Sequence, residues 1–316
     1  MRIDFFIQQF INSLSLGSLY ALVAIGYTMI YAAIRVINFA HGDVMIWGAF
    51  ISLIIMGLIF NWQEIEMNNV SFYTFSASNF LATLFVSLLG MLIYVLVYRP
   101  LLDKKAPRIT MLIAAIAVSF FLESLFNVIA NNLLGGSFQT FYFPRFFGII
   151  LYLGDATISI TSLIIPIVVL VMVSILIYIM KTHKIGIAIR ALSYDIEMVK
   201  LMGINTNLLI SIIFFVSSAY AGVGGIFYAI EFPSIDPYMG IFLGLKAFAA
   251  AVIGGIGSIG GAVIGSFILG FVETMLPGFF PSLGVWKDAF AFILLIFILL
   301  FKPTGILGKD FERQRF

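Results

Sequence analysis

The stretch Gly17–Gly48 reads GSLYALVAIGYTMIYAAIRVINFAHGDVMIWG. It begins as an apolar segment, is interrupted by the polar cluster Asn38–Asp43, and then becomes apolar again. An ionisable group inside a bilayer costs about 3 kcal/mol or more, so such groups usually face a bundle interior or a water-filled path. Gly42, between His41 and Asp43, permits a helix break or a close approach of two backbones.

The composition identifies the class of protein. The chain has 316 residues, of which 62% are hydrophobic and 10% are charged, and its mean hydropathy is +1.14. A soluble domain is about half apolar and about a quarter charged, so this chain is predicted to be an integral membrane protein. The absence of cysteine excludes disulfides and thiolate metal sites, and the two histidines are too few for a histidine metal centre.

The apolar segments predict the number of membrane crossings, because a helix needs about 20 apolar residues to span a bilayer. The candidate spans are about 5–34, 44–60, 79–98, 109–130, 159–180, 208–230, 240–276 and 288–301. The first is long for one crossing, so it is either one span or a hairpin followed by a span. The segment 240–276 is interrupted at Gly254–Gly261, which predicts a re-entrant hairpin or two shorter spans. We therefore predict an all-α polytopic helical bundle of eight to ten membrane segments with broken or re-entrant helices, forming a single transmembrane domain over residues 1–316.

Basic residues in the loops predict the orientation. Lysine and arginine concentrate in 99–108, 181–207 and the tail 302–316. Cytoplasmic loops carry an excess of these residues, so the three segments and the C-terminus are expected in the cytoplasm. The two sides alternate correctly only if 240–276 enters the membrane and returns.

The cluster Asn38–Asp43 has two interpretations. In one, a broken helix lies on a translocation path that Asn38, His41, Gly42 and Asp43 line or gate. In the other, the cluster is a hairpin between two spans in which Asn38 caps a helix that starts at the next residue.

A polar stripe follows one face of the fourth span, because four polar residues recur at intervals of four: Ser119, Glu123, Asn127 and Asn131. A glutamate facing lipid is costly. The face therefore either packs against a neighbouring helix through hydrogen bonds or lines the path, with Glu123 and Asn127 as the candidates.

The glycine-rich interruption matches G-x-G-x-x-G at Gly255, Gly257 and Gly260. A dinucleotide site would need a preceding strand and a following acidic residue, whereas both flanks here are apolar, so close helix packing is favoured. Gly255 and Gly257 are further candidates for the path. Lys246 and Glu273 flank the interruption, and Lys246 is expected to extend toward the membrane surface.

The loop 181–207 predicts one amphipathic helix. Its apolar face consists of Ile189, Leu192, Ile196, Val199 and Met202, and its polar side of Arg190, Asp195, Glu197 and Lys200. Gly203 follows as a C-cap. The helix either lies on lipid or docks into a groove on a soluble partner, and its mixed charges favour the protein partner.

Three segments resemble the permease subunits of branched-chain amino-acid ABC importers. Residues 17–50, with their Asn-Phe-Ala-His-Gly-acidic cluster, look like the N-terminal signature of that family, and residues 244–273 look like its C-terminal signature. The loop resembles the ATPase-coupling element EAA-x-x-x-G, in which Glu197 and Gly203 hold the Glu and Gly positions. Met198 and Val199 replace the two alanines, so the element is degenerate.

The resemblance implies a pore subunit that carries branched-chain amino acids into the cytoplasm across a bacterial inner membrane. Its partners would be a second permease, identical or different, two cytoplasmic ATPase subunits that contact Arg190, Asp195, Glu197 and Gly203, and an extracytoplasmic substrate-binding protein. No cofactor is expected on this chain, since ATP-Mg would be bound by the ATPase subunits, and neither enzymatic activity nor nucleic-acid binding is expected. In agreement, the sequence has no G-x-x-x-x-G-K-[ST] motif.

Other functions remain open from the sequence. Relatives with this cluster carry urea and other small amides, or other amino acids. An ion-coupled secondary transporter would use Asp43, Glu123 or Glu273. An intramembrane enzyme or a channel is disfavoured, because neither a nucleophile–base constellation nor a repeated filter segment is present.

Overall fold

The computed structural model describes residues 3–60, 71–134, 140–144 and 149–308. The helices are α1 (Ile3–Ile34), α2 (His41–Phe60), α3 (Phe72–Ile93), a π-helical segment (Tyr94–Tyr98), α4 (Arg99–Asp103), α5 (Arg108–Leu134), α6 (Ile160–Thr182), α7 (Lys184–Tyr194), α8 (Ile196–Leu201), α9 (Thr206–Glu231), α10 (Met239–Gly254), α11 (Ile259–Phe279), a 3-10 turn (Pro281–Trp286) and α12 (Lys287–Phe301). The strands are β1 (Phe141–Tyr142), β2 (Ile150–Leu153), β3 (Ala156–Ser159) and β4 (Ser234–Ile235).

The polytopic all-α fold is confirmed. Within the described residues, eight helical segments are long and apolar enough to cross a membrane, and α10 is a shorter apolar helix. The first predicted span is one continuous helix of 32 residues, about 48 Å long, rather than a hairpin and a span. Of the predicted tail 302–316, the part after residue 308 lies outside the described residues.

The predicted interruption of 240–276 is also confirmed. The helix α10 ends at Gly254 and α11 begins at Ile259, with Ser258 as N-cap accepting a hydrogen bond from the backbone N–H of Gly261 at 3.2 Å. Gly255 has a φ of +111°, a backbone conformation that residues other than glycine rarely adopt. The interruption is therefore a defined turn between two helices.

The C-terminal segment, residues 302–308, covers the end of α10. The last carbonyls of a helix lack partners within that helix. Here the carbonyl oxygens of Ile253 and Gly254 accept hydrogen bonds from the N–H groups of Ile306 at 2.9 Å and Leu307 at 2.8 Å. A Cβ added to Gly255 would lie 2.3 Å from the backbone nitrogen of Gly308. The glycine is thus required for backbone-to-backbone packing.

The chain divides into two compact units. One comprises Met1–Thr28, Phe147–Tyr178 and Lys246–Phe316, and the other Met29–Phe146 and Ile179–Leu245. In the first unit, α1 and α11 meet at glycines, since a Cβ on Gly270 would lie 2.6 Å from the nitrogen of Gly17.

The expectation for Lys246 is wrong. Its side chain is buried rather than extended to a surface, because it forms ion pairs with Glu273 at 2.5 Å and Asp288 at 2.6 Å. The hydroxyl of Tyr20 donates to the other oxygen of Glu273 at 2.8 Å. Two buried opposite charges stabilise each other where either alone would be costly, so Lys246 has no need to reach water.

In the second unit, α2, α3 and α9 pack against one another through small residues. A Cβ on Gly48 would lie 2.4 Å from the carbonyl oxygen of Gly222, and one on Gly90 would lie 1.8 Å from Oγ of Ser218. Small residues let membrane helices approach closely enough for van der Waals packing to hold them. The antiparallel pair β1–β4 also belongs to this unit, and the β2–β3 hairpin to the first.

Candidate functional site

The polar cluster Asn38–Asp43 begins in the break between α1 and α2 and continues into the first turn of α2, but the first residue of α2 differs from expectation. The helix α2 begins at His41, not at Phe39, and the side chain of Asn38 does not cap it. Instead Oδ1 of Asn38 accepts a hydrogen bond from the hydroxyl of Tyr98 at 3.0 Å, in the buried interior. The backbone N–H of His41 donates to the carbonyl oxygen of Asn38 at 3.1 Å. A tertiary partner has therefore replaced the local cap.

Gly42 is the contact point between α2 and the start of α10. A Cβ at this position would lie 2.3 Å from the carbonyl oxygen of Gly240 and 2.8 Å from Cα of Gly244. The predicted G-x-x-x-G pair Gly240 and Gly244 thus forms a close helix contact, and its partner is the glycine of the polar cluster.

Asp43 is buried, with 3% of its surface exposed, in the first turn of α2. A negative charge is favourable there because helix N-termini carry a partial positive charge. The hydroxyl of Ser119 donates to Oδ2 of Asp43. Among the described residues, Oδ1 of Asp43 has no hydrogen-bond partner. The first residue of the polar stripe on α5 therefore faces α2 and binds the carboxylate.

The other three residues of the stripe differ in how far they are buried. Asn127 is buried and its amide donates to the carbonyl oxygen of Glu123 at 3.1 Å, whereas Asn131 is exposed. Glu123 is half-buried, and its Oε2 has no hydrogen-bond partner in the described part of the chain. The packing interpretation is thus confirmed for Ser119, whose hydrogen bond joins two helices, whereas a place on a path stays a prediction for Glu123 and Asn127.

Asp43 and Glu123 line one narrow recess. Its other walls are Ile46, Trp47, Phe126 and Pro237. The indole Nε1 of Trp47 donates to the carbonyl oxygen of Leu122 at 3.3 Å, which fixes this ring beside α5. The structure therefore brings two predicted acidic residues from different helices to one place, beside aromatic side chains.

The other predicted path residues, Gly255 and Gly257, belong to the turn between α10 and α11. Both have positive φ, +111° and +93°, and Gly255 packs on the C-terminal segment. A place for them on a path stays a prediction. In the described part of the chain, no three His, Asp or Glu side chains come together in a way that suits a metal ion.

The loop 181–207 forms two helices, α7 and α8, rather than the single predicted helix. Asp195 separates them: it is the C-cap of α7 and the N-cap of α8. Its Oδ1 accepts hydrogen bonds from the N–H groups of Glu197 at 2.8 Å and Met198 at 3.2 Å. Aspartate is more favourable at a helix N-cap than in a helix interior. The apolar periodicity alone did not indicate that the helix is interrupted at Asp195.

The end of α8 confirms Gly203 as the predicted C-cap glycine. Gly203 has a φ of +78°, and its N–H donates to the carbonyl oxygen of Lys200 at 3.1 Å while that of Ile204 donates to Val199 at 3.4 Å. This is the Schellman arrangement.

The apolar face is only partly as predicted. Ile189, Leu192 and Val199 are buried, Ile196 is half-buried, and Met202 is exposed. Three apolar side chains within and just after the second helix are exposed: Met198, Leu201 and Met202. Glu197 is exposed beside them, which leaves a mixed surface open to a partner.

Sequence analysis assigned no role to three residues that lie near Asn38 and the end of α7: Arg35, Tyr94 and Tyr98. Both tyrosines are fully buried at the end of an apolar helix, and Arg35 immediately follows α1. The only signal was their position at the end of a span, which is also where tyrosine and arginine commonly anchor membrane helices at an interface.

A family model described as branched-chain amino acid transport system / permease component matches residues 9–299. The chain is 36% identical to the high-affinity branched-chain amino acid transport system permease protein LivH of Escherichia coli, with 96% of both chains covered. It is 37% identical to the corresponding permease protein BraD of Pseudomonas aeruginosa, again with 96% of both covered. A probable branched-chain amino acid transport permease of Methanocaldococcus jannaschii is 27% identical, over 95% of this chain and 91% of the relative.

Proposed function

The chain belongs to the family of permease components of branched-chain amino acid transport systems, and from that premise we propose how it works and with which partners. It is a membrane-spanning permease subunit of an ABC importer and moves branched-chain amino acids into the cytoplasm. The observation that carries this function is the family match over residues 9–299, which includes the helix break, the coupling loop and the glycine-rich turn together.

The energy source and the capture of substrate are assigned to other chains. Two cytoplasmic ATPase subunits hydrolyse ATP-Mg, an extracytoplasmic binding protein delivers the substrate, and a second permease, identical or different, completes the pore. The mixed surface of α7 and α8 is where an ATPase docks: it carries charged side chains beside exposed Met198 and Leu201. This assignment requires that 181–207 and the C-terminus lie in the bacterial cytoplasm.

The recess at Asp43 and Glu123 is the proposed point of contact with the substrate. A branched-chain amino acid carries an ammonium group and an aliphatic side chain. Two carboxylate oxygens that have no hydrogen-bond partner among the described residues suit the ammonium group. Ile46, Trp47 and Phe126, which line the same recess, suit the aliphatic side chain. Asn38, His41, Gly42 and Asn127 position these elements around it.

The complex reconstituted in proteoliposomes tests the function. With ATP inside and binding protein outside, we expect saturable uptake of radiolabelled leucine that an excess of isoleucine or valine reduces and urea does not. Uptake driven by a proton or sodium gradient without ATP would contradict the ABC importer assignment. Inhibition by urea alone would move the substrate class to small amides.

The docking surface is tested by Glu197→Lys and Gly203→Asp. The first reverses a charge on the exposed side of α8, and the second puts a side chain where φ is +78°. We expect both to uncouple ATP hydrolysis from uptake. If the ATPase subunits co-purify normally and uptake proceeds at the wild-type rate, the docking surface lies elsewhere.

A further inference from the structure

Arg35 connects the segment before α2 to the end of a coupling helix. Its Nη2 donates to the main-chain oxygen of Ser193 at 2.5 Å. Ser193 is in the last turn of α7, where carbonyl groups lack helical partners and the helix dipole is negative, so a guanidinium is favourable there. Arg35 has a φ of 55°, in the left-handed region. Non-glycine residues hold that conformation only where surrounding contacts impose it, and such strain concentrates in switch regions.

The π-helical segment makes a second connection, between the segment before α2 and the start of α9. The hydroxyl of Tyr98 donates to Asn38 at 3.0 Å, and that of Tyr94 donates to Oδ1 of Asn207 at 3.1 Å. Asn38 precedes α2, and Asn207 is in the first turn of α9, which follows α8. A π-turn inside a membrane helix is rare and frequently marks a functional site. Here it carries both hydroxyls at four-residue spacing.

The two tyrosines are closely packed as well as hydrogen-bonded. Both are fully buried, and their rings lie 5.2 and 5.3 Å from the ring of Phe214 on α9. A close-packed interior transmits displacement rather than absorbing it. A shift of the start of α9 or of the end of α7 therefore reaches Asn38, whose carbonyl is bonded to the first residue of α2.

We propose that Arg35, Tyr94 and Tyr98 are positioning residues that transmit movement of the coupling helices α7 and α8 to the start of α2, and so to Asp43. The inference rests on the proposed function, because it needs an ATPase that moves α7 and α8. We name Arg35, Asn38, Tyr94, Tyr98 and Asn207 the transmission cluster.

The test compares ATP hydrolysis with leucine uptake by the complete complex in proteoliposomes. The variants are Tyr98→Phe, Arg35→Ala and Arg35→Lys. For Tyr98→Phe and Arg35→Ala we expect ATP turnover close to the wild type, and ATP consumed per leucine raised about fivefold or more, in the range of ordinary allosteric coupling. Arg35→Lys keeps a cation that donates to Ser193 and should restore part of the coupling.

The matched controls are Tyr73→Phe and Arg99→Ala. Tyr73 is 85% exposed on α3, and Arg99 forms an exposed pair with Asp103 at 3.8 Å. Both variants should consume as much ATP per leucine as the wild type. Tyr98→Phe retains the buried ring and its packing, so it separates the hydroxyl from a folding defect.

Two results would overturn the inference. One is that Tyr98→Phe and Arg35→Ala keep both the wild-type rates and the wild-type amount of ATP consumed per leucine. The other is that ATP hydrolysis and leucine uptake fall in proportion, which indicates loss of assembled complex. Neither result affects the proposed function, which fails only if the wild-type complex shows no ATP-dependent uptake. The combined Tyr98→Phe and Arg35→Ala variant should be less than additive, because both act on one segment.

Discussion

At the scale of single residues, Asp43 shows why a carboxylate is kept inside this protein. Ser119 satisfies one of its oxygens, and the N-terminus of α2 lowers the cost of its charge. A structural role alone would be met equally well by a neutral acceptor, since interhelical hydrogen bonds in membranes average only about 0.6 kcal/mol. The acidic group itself is therefore the feature that needs a function.

We predict that Asp43→Asn assembles normally and transports poorly. Asparagine is the same size and still accepts a hydrogen bond from Ser119, but it has no charge for an ammonium group. Uptake of leucine should fall about tenfold or more, since a hydrogen bond to a charged group contributes about 1.5–3 kcal/mol. The control is Asp103→Asn, an exposed carboxylate on α4. Normal uptake by Asp43→Asn would remove this residue from the path.

A second residue-scale prediction concerns glycines. In Gly225→Ala the new Cβ would lie 1.9 Å from the carbonyl oxygen of Met45, so α2 and α9 must separate. We expect destabilisation of about 1–3 kcal/mol, seen as a lower unfolding temperature of the purified permease in detergent.

Gly260→Ala is the matched control for this substitution. No heavy atom of the described residues lies within 4 Å of a Cβ at Gly260. Alanine there should be neutral or stabilise by about 0.4–1 kcal/mol. Equal effects of the two substitutions would show that close packing at Gly225 is not what holds α2 against α9.

At the scale of elements, three helices are joined by one buried lysine. Lys246 on α10 pairs with Glu273 on α11 and with Asp288 on α12. The acidic partners differ in exposure: the side chain of Glu273 is 4% exposed and that of Asp288 is 54% exposed. The energy of the arrangement therefore resides mainly in the buried pair.

We predict that Lys246→Met destabilises the permease far more than Asp288→Asn. The first leaves Glu273 buried without its counter-charge, at a cost of about 3–5 kcal/mol. The second removes a solvent-screened pair that contributes about 1 kcal/mol or less. Unfolding temperatures of the two variants in detergent give the ranking, with the exposed Lys104→Met as control for loss of a positive charge. The reverse ranking would mean that Asp288, not Glu273, holds the lysine.

At the scale of the whole molecule, the prediction concerns which side of the membrane each loop faces. The natural chain has no cysteine, so single cysteines report membrane side without background. We predict that Glu197→Cys in intact cells resists a membrane-impermeant thiol reagent and that Tyr152→Cys, at a 74% exposed position on β2, reacts. Reaction of Glu197→Cys from outside would invert the topology and, with it, the ATPase docking surface.

Much of the architecture could be predicted from the sequence. The membrane class, the spans and the interruption at Gly254–Gly261 follow from local composition, because the cost of placing a segment in lipid is nearly a sum over its residues. Gly203 was likewise predictable, since a left-handed C-cap is a property of the local backbone.

The site was only half predictable. Asp43 and Glu123 could be named because isolated acids in apolar sequence are costly wherever the helices lie. The bonds from Ser119 to Asp43 and from Tyr98 to Asn38 join residues 76 and 60 positions apart. No local periodicity encodes such pairs.

The sequence by itself thus determined that this is a membrane protein of interrupted helices, because hydrophobicity and glycine geometry act over a few residues. Only the tertiary structure decided that Asn38 accepts a hydrogen bond from Tyr98 instead of capping α2, and that the side chain of Lys246 is buried against Glu273. Each outcome depends on which polar groups come into contact where helices cross. Because lipid offers no hydrogen-bond partner, a buried polar group must bond to a group on the neighbouring helix.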